Sequence, residues 1–69
     1  MMVLDFETWH VEWVNRDSTM HIKVCNSWGS AQNAARDLRD DSQMFVQQGE
    51  KPLYYCIRVT GPHIHKVPN

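Results

Sequence analysis

Apolar and polar residues alternate in two neighbouring segments near the start of the chain. In residues 8–13 every second residue is apolar, beginning with Trp9, and residues 20–25 repeat the pattern, beginning with Met20. Alternation with a period of two is typical of a strand with one buried face. Four turn-forming residues, 15–18, lie between the two segments. The pattern therefore predicts an antiparallel hairpin.

A helical pattern follows the hairpin. Ser27 is the expected N-cap, with Ser30 as an alternative. Asp40 and Asp41 would lie at the negative end of the helix dipole, so the helix is expected to end within residues 39–41. Apolar residues recur at helical spacing on one face, namely Trp28, Ala31, Ala34, Ala35 and Leu38.

The last third of the chain carries the clearest strand pattern. Residues 53–60 alternate between apolar and polar side chains, which predicts a strand. Gly61 and Pro62 are expected to end it, with a short edge strand over residues 63–67. Residues 44–46 are apolar and fit either a short strand or a tucked loop, and residues 47–52 fit a loop.

These elements predict one α+β domain over residues 1–69. The expected architecture is an antiparallel sheet of three to four strands in β-β-α-β order, with one α-helix packed on one face, because neither layer can bury its apolar face alone. The predicted core consists of Trp9, Trp13, Met20, Ile22, Val24, Trp28, Ala31, Ala35, Leu38, Tyr55, Ile57 and Val59.

Composition and charge narrow the function classes. The chain of 69 residues is 42% hydrophobic and 22% charged, with a net charge of -1. That balance is typical of a globular domain, and it offers little attraction to nucleic acid. The first seven residues lack the pattern of a signal peptide, and no apolar run is long enough for a membrane helix. We therefore expect a cytoplasmic protein, with Cys25 and Cys56 as free thiols. Alternation places both cysteines on the polar sides of their strands.

Four histidines are the main candidates for chemistry. His10 and His21 are expected on the polar faces of two paired strands, and His63 and His65 share one strand face. The spacing of recognisable zinc motifs is absent. No glycine-rich phosphate loop is present either. The sequence therefore predicts no metal, no cofactor and no catalytic residues.

The polar face of the sheet is the expected site of partner binding. One face stays open in a two-layer fold, and tyrosine and arginine are enriched at the energetic centres of protein interfaces. Together with His21, the residues predicted on this face are Arg58, Tyr54, His10, Glu12 and Lys23.

The order of these elements resembles small host-takeover proteins of bacterial viruses. The nearest pattern is the short coliphage inhibitor of bacterial RNA polymerase, matched over residues 8–62. The matching segments are Thr-Trp-His-Val-Glu at 8–12, Met-His-Ile-Lys-Val at 20–24, the helix opening at Ser27, and Ile-Arg-Val at 57–59.

That resemblance implies a non-enzymatic protein that binds and inhibits a bacterial host protein in the host cytoplasm, by occlusion. Arg58 matches an arginine that the family uses to bind polymerase, whereas Thr60 replaces a second arginine. One alternative is an anti-CRISPR or antitoxin-type counter-defence protein. Another is a small nucleic-acid-binding regulator, for which an aromatic and basic neighbourhood is formed by Tyr54, Arg58, His63, His65 and Lys66. The protein is expected to be a monomer or a homodimer without membrane contact.

Overall fold

The computed structural model describes residues 3–68 and confirms the α+β fold. Three antiparallel strands form one sheet in the spatial order β2-β1-β3, and the chain order is β-β-α-β. The elements are β1 (Val3–Asn15), β2 (Met20–Cys25), α1 (Trp28–Gln47) and β3 (Tyr54–Pro68).

The sheet has two parts because β2 is much shorter than β1. Residues 9–14 of β1 lie between β2 and β3. Residues 3–8 pair only with residues 63–68 of β3, and we call this two-stranded part the ribbon. The molecule is elongated as a result, with extents of 58 × 22 × 12 Å.

The predicted hairpin is confirmed, but its register differs from the expectation. Val14 pairs with Met20, so the loop contains residues 15–19. Ser18 has a positive φ of 72°, and the Asp17 carboxylate accepts hydrogen bonds from the Thr19 amide and hydroxyl. Because cross-strand partners share a face, the apolar residues of β2 lie on the side of the sheet opposite the helix.

Helix α1 begins as predicted and ends later. The Ser27 hydroxyl caps it by accepting a hydrogen bond from the Ser30 amide. The predicted end at residues 39–41 is wrong, as is the strand or loop expected at 44–46, because the helix continues to Gln47. Asp40 and Asp41 are exposed, so they cost the helix little.

The part of the helix beyond the predicted end, residues 42–47, is attached to β3 by a polar contact of Ser42 and is followed by Gly49. The Ser42 hydroxyl is buried and bonds to the backbone N–H and C=O of Tyr54, at 2.9 and 3.2 Å. Gly49 then adopts a φ of 82°, the left-handed conformation that commonly ends a helix.

The fully enclosed core is small. Its buried apolar members in the described chain are Val11, Cys25, Ala31 and Ala35. Half-buried side chains pack around them, and those include five of the predicted core residues: Trp9, Trp13, Leu38, Ile57 and Val59. Five others were predicted wrongly and are exposed, namely Met20, Ile22, Val24, Trp28 and Tyr55.

Strand β3 is continuous where two segments were expected. Pro62 does not end the strand, because it lies at a register irregularity opposite Trp9, where the ladder already lacks a regular partner. A second irregularity lies near Cys56, whose φ is 54°. The expected edge strand at 63–67 is therefore the outer half of β3.

Candidate functional site

The sheet surface opposite the helix faces solvent and carries apolar, polar and charged side chains. We call its three-stranded part the open face. Cross-strand pairing arranges nine side chains in three rows, each ordered β2, β1, β3: Val24, His10 and Thr60; Ile22, Glu12 and Arg58; Met20, Val14 and Tyr55.

An ion pair lies in the middle row of the open face. The Arg58 Nη2 and Nε atoms donate to Glu12 Oε1 at 2.8 and 3.2 Å. The Arg58 hydrogen bonds hold the pKa of the Glu12 carboxyl below its ordinary value, although partial burial opposes that shift. The Arg58 side chain stays 67% exposed, against 16% for Glu12. The contact therefore orients the guanidinium and leaves most of it accessible.

A threonine connects this ion pair to a histidine. The Thr60 hydroxyl donates to Glu12 Oε2 at 3.2 Å and contacts His63 Nε2 at 2.9 Å. A hydroxyl has one proton to donate, so Thr60 must accept from His63, which places a proton on His63 Nε2. The His63 ring also stacks on His10, with 3.9 Å between the ring centroids.

The same face continues onto the ribbon with further aromatic contacts. His65 stacks on Phe6, with 4.7 Å between ring centroids. Its Nε2 atom lies 2.8 Å from the hydroxyl of Thr8, which is buried. Three of the four histidines, His10, His63 and His65, thus lie on one face of the sheet. Each of their rings stacks on another ring, and His63 and His65 also contact a threonine hydroxyl.

The β2 side of the open face is apolar and exposed. Met20, Ile22 and Val24 follow one another along this edge strand, and at least half of each side chain is accessible. Soluble proteins rarely expose several large apolar side chains side by side. Where they do, the patch commonly marks an interaction site.

The five predicted partner-binding residues divide between the two sides of the sheet. His10, Glu12 and Arg58 lie together on the open face. Tyr54 and Lys23 do not, so the expectation of one shared face is wrong for them. Tyr54 packs edge-on against Trp13, and Lys23 lines a depression beside the helix with Asp37 and Asp41.

His21 also lies on the helix side, contrary to the prediction. Its ring stacks on Trp13, and its Nε2 atom lies 2.9 Å from both the side-chain nitrogen of Asn15 and the Thr19 hydroxyl. These contacts close the hairpin. Within residues 3–68, no three His, Cys, Asp or Glu side chains converge closely enough to hold a metal ion.

The two cysteines are free and differ in environment. Cys25 is buried, whereas Cys56 is exposed. The prediction that both lie on the polar side is wrong for Cys25, because the β2 register turns it toward Ala31 in the core.

Concave features are shallow. A depression of about 580 Å³ lies between the ribbon and the start of the helix, lined by Asp5, Phe6, Glu7, Trp9, Asn26 and Ile64. A smaller one of about 150 Å³ lies on the open face beside Arg58. The smaller depression is below the usual volume of a small-molecule site.

The sequence interpretation missed the exposed β2 row and the contribution of Thr60 and His63. The face of the β2 row depends on the loop length, which alternation alone does not give. The loop contains residues 15–19 and not only the turn formers 15–18, so Val14 pairs with Met20 and Met20 lies on the face of Glu12.

No family model, curated protein or solved structure matches this chain. In the part of the chain described, no helix has both the length and the apolar character needed to cross a membrane.

Proposed function

We propose that this protein is a non-enzymatic binding protein that docks its open face on another protein and blocks that protein by occlusion. The observation that carries the proposal is that the exposed apolar row of Met20, Ile22 and Val24 shares the open face with the accessible Arg58, on the other side of β1. Methionine and arginine are enriched at protein interfaces, and arginine is among the residues that most often dominate their binding energy.

The geometry indicates the chemistry of the partner surface. Arg58 uses two of its five N–H groups on Glu12, and three remain for a partner. A carboxylate or a backbone carbonyl on the partner would accept from them, and an apolar strip about two strands away would cover Ile22. Nucleic acid is less suited to the open face. Arg58 is already paired with the Glu12 carboxylate, so the face presents no net positive charge to a phosphate backbone.

Bacterial RNA polymerase is the first target to test. Arg58, which matches the polymerase-binding arginine of the phage inhibitors that the sequence resembles, lies at the centre of the β3 side of the open face. A CRISPR effector or a toxin would accept a binder of the same shape, so both belong in the same assay as alternative targets.

The test is a direct binding measurement on purified bacterial RNA polymerase, combined with a transcription assay. Wild type is compared with Arg58→Ala and Ile22→Lys. The matched controls are Arg39→Ala and Met44→Lys on the helix, because Met44 and Ile22 are both 57% exposed. We expect each open-face substitution to weaken binding by about tenfold or more, and the controls to bind like wild type.

Two results would contradict the proposal at different levels. If the wild type binds none of the polymerase, the CRISPR effector and the toxin, the inhibitor function is wrong. If it binds one of them and all five proteins bind equally well, the function stands but the open face is the wrong surface.

A further inference from the structure

We infer that a second copy of this chain covers the open face when no target is bound. The inference rests on the proposed function in treating the open face as a docking surface, and it adds a regulatory state in which self-association competes with target binding. Three features of the structure support a second copy as the occupant: the size of the core, the charge of the face and its row geometry.

The chain has little core for its surface. Four apolar side chains are buried in the described residues, and domains of this size commonly need oligomerisation or another covalent or metal constraint for stability. The molecule exposes 5061 Å², whereas about 4,500 Å² is typical for 8.1 kDa. A standard interface removes roughly 600–1,000 Å² from each partner, which would return the exposed area to the ordinary range.

The open face carries no net charge. Of the chain's seven Lys and Arg and eight Asp and Glu residues, only Arg58 and Glu12 project from it, and they neutralise each other. Charges are abundant elsewhere, for example along the outer surface of α1. A face without net charge meets an identical face without net repulsion, because two guanidinium groups and two carboxylates balance across the contact.

The row geometry suits a two-fold axis that runs across the strands through Ile22, Glu12 and Arg58. Such an axis places the β2 row of one copy on the β2 row of the other. Ile22 then meets Ile22, and Val24 meets Met20 of the other copy. The same axis places Glu12 opposite Glu12 and Arg58 opposite Arg58 of the other copy, and at this rim each guanidinium can donate to the Glu12 carboxylate of either copy. Two sheets packed about 10 Å apart in this way form a sandwich with a helix on each outer side.

Sedimentation equilibrium without any target tests the inference. We expect wild type to self-associate in the micromolar range, Ile22→Lys to weaken the association at least about tenfold by burying two unpaired charges, and Met44→Lys to associate like wild type. The inference is overturned if wild type is monomeric at several hundred micromolar, or if Ile22→Lys associates as strongly as wild type.

A crosslinking experiment keeps the inference testable if Ile22→Lys fails to fold. In a background in which the exposed Cys56 is replaced by serine, a short bifunctional thiol crosslinker should link Ile22→Cys into a covalent dimer, because the axis brings the two positions to about 10 Å, the spacing of packed sheets. Met44→Cys in the same background should remain uncrosslinked, and the reverse result would place the contact on the helix. Since neither experiment contains a target, failure here leaves the polymerase test unaffected.

Discussion

At the residue scale, Gly61 has a backbone conformation and surroundings that other residues cannot share. Its φ is 135°, and a Cβ atom there would lie 2.9 Å from Trp9 Cδ1 and 3.0 Å from the Thr8 carbonyl oxygen. Gly61→Ala should therefore reduce the free energy of unfolding by about 2 kcal/mol, as measured by urea denaturation.

Gly29 is the matched control for that substitution. It lies in the first turn of α1, and an added Cβ would meet no atom within 4 Å. Gly29→Ala should raise the free energy of unfolding by up to about 1 kcal/mol, because alanine favours the helix. Equal effects at the two glycines would show that the close approach at Trp9 is absent in solution.

At the element scale, the helix is attached by its inner stripe and not by its first aromatic residue. Leu38 packs against the core cluster, whereas Trp28 is 55% exposed. Leu38→Ala should lower the free energy of unfolding by about 2 kcal/mol, and Trp28→Ala should change it by less than about 1 kcal/mol. Thermal and chemical denaturation at one protein concentration would compare them. A larger loss for Trp28→Ala would place the helix in a different rotation.

The strand and helix patterns predict the fold, but they do not predict which side of the sheet each residue of β2 occupies. Alternation identifies β2 correctly, yet the face depends on whether Thr19 belongs to the loop or to the strand. The single residue Ser18, with its positive φ, decides this by lengthening the turn. A shift of one residue inverts a whole strand, so Met20, Ile22 and Val24 were assigned to the core.

The face of each strand also decides how much of the candidate site is predictable from the sequence. His10, Glu12 and Arg58 belong to strands whose alternation was interpreted correctly, and they meet on one face. Lys23 follows the inverted strand to the other side. The late helix end is not predictable from Asp40 and Asp41, which favour a stop by their charge. The contact that holds the next turn, between the Ser42 hydroxyl and the Tyr54 backbone, is visible only in the folded chain.

At the scale of the whole molecule, the ribbon and the three-stranded part should differ in local stability. Residues 9–14 of β1 have strands on both sides, whereas residues 3–8 have one neighbour. Backbone amides with fewer neighbours and less cover open at lower free energy. Amide hydrogen exchange should therefore be slowest within residues 9–14 and faster by about tenfold or more in residues 3–8. Uniform protection along β1 would contradict this division.

The two irregularities of β3 determine on which face of the sheet its side chains lie. Strand β1 has 13 residues and β3 has 15, yet their ends are paired, so each irregularity absorbs one additional residue of β3. The one opposite Trp9 lets Thr60 and His63, three positions apart, share a face. Deleting Pro62 would leave Gly61 alone opposite Trp9 and make the ladder regular there, so His63 and His65 would keep their partners Thr8 and Phe6 and their face. The outer end of β3 can therefore lose the residue at position 62 without a change of face, whereas a one-residue deletion beyond position 63 that keeps the irregularity would turn the side chains after it to the other side of the sheet.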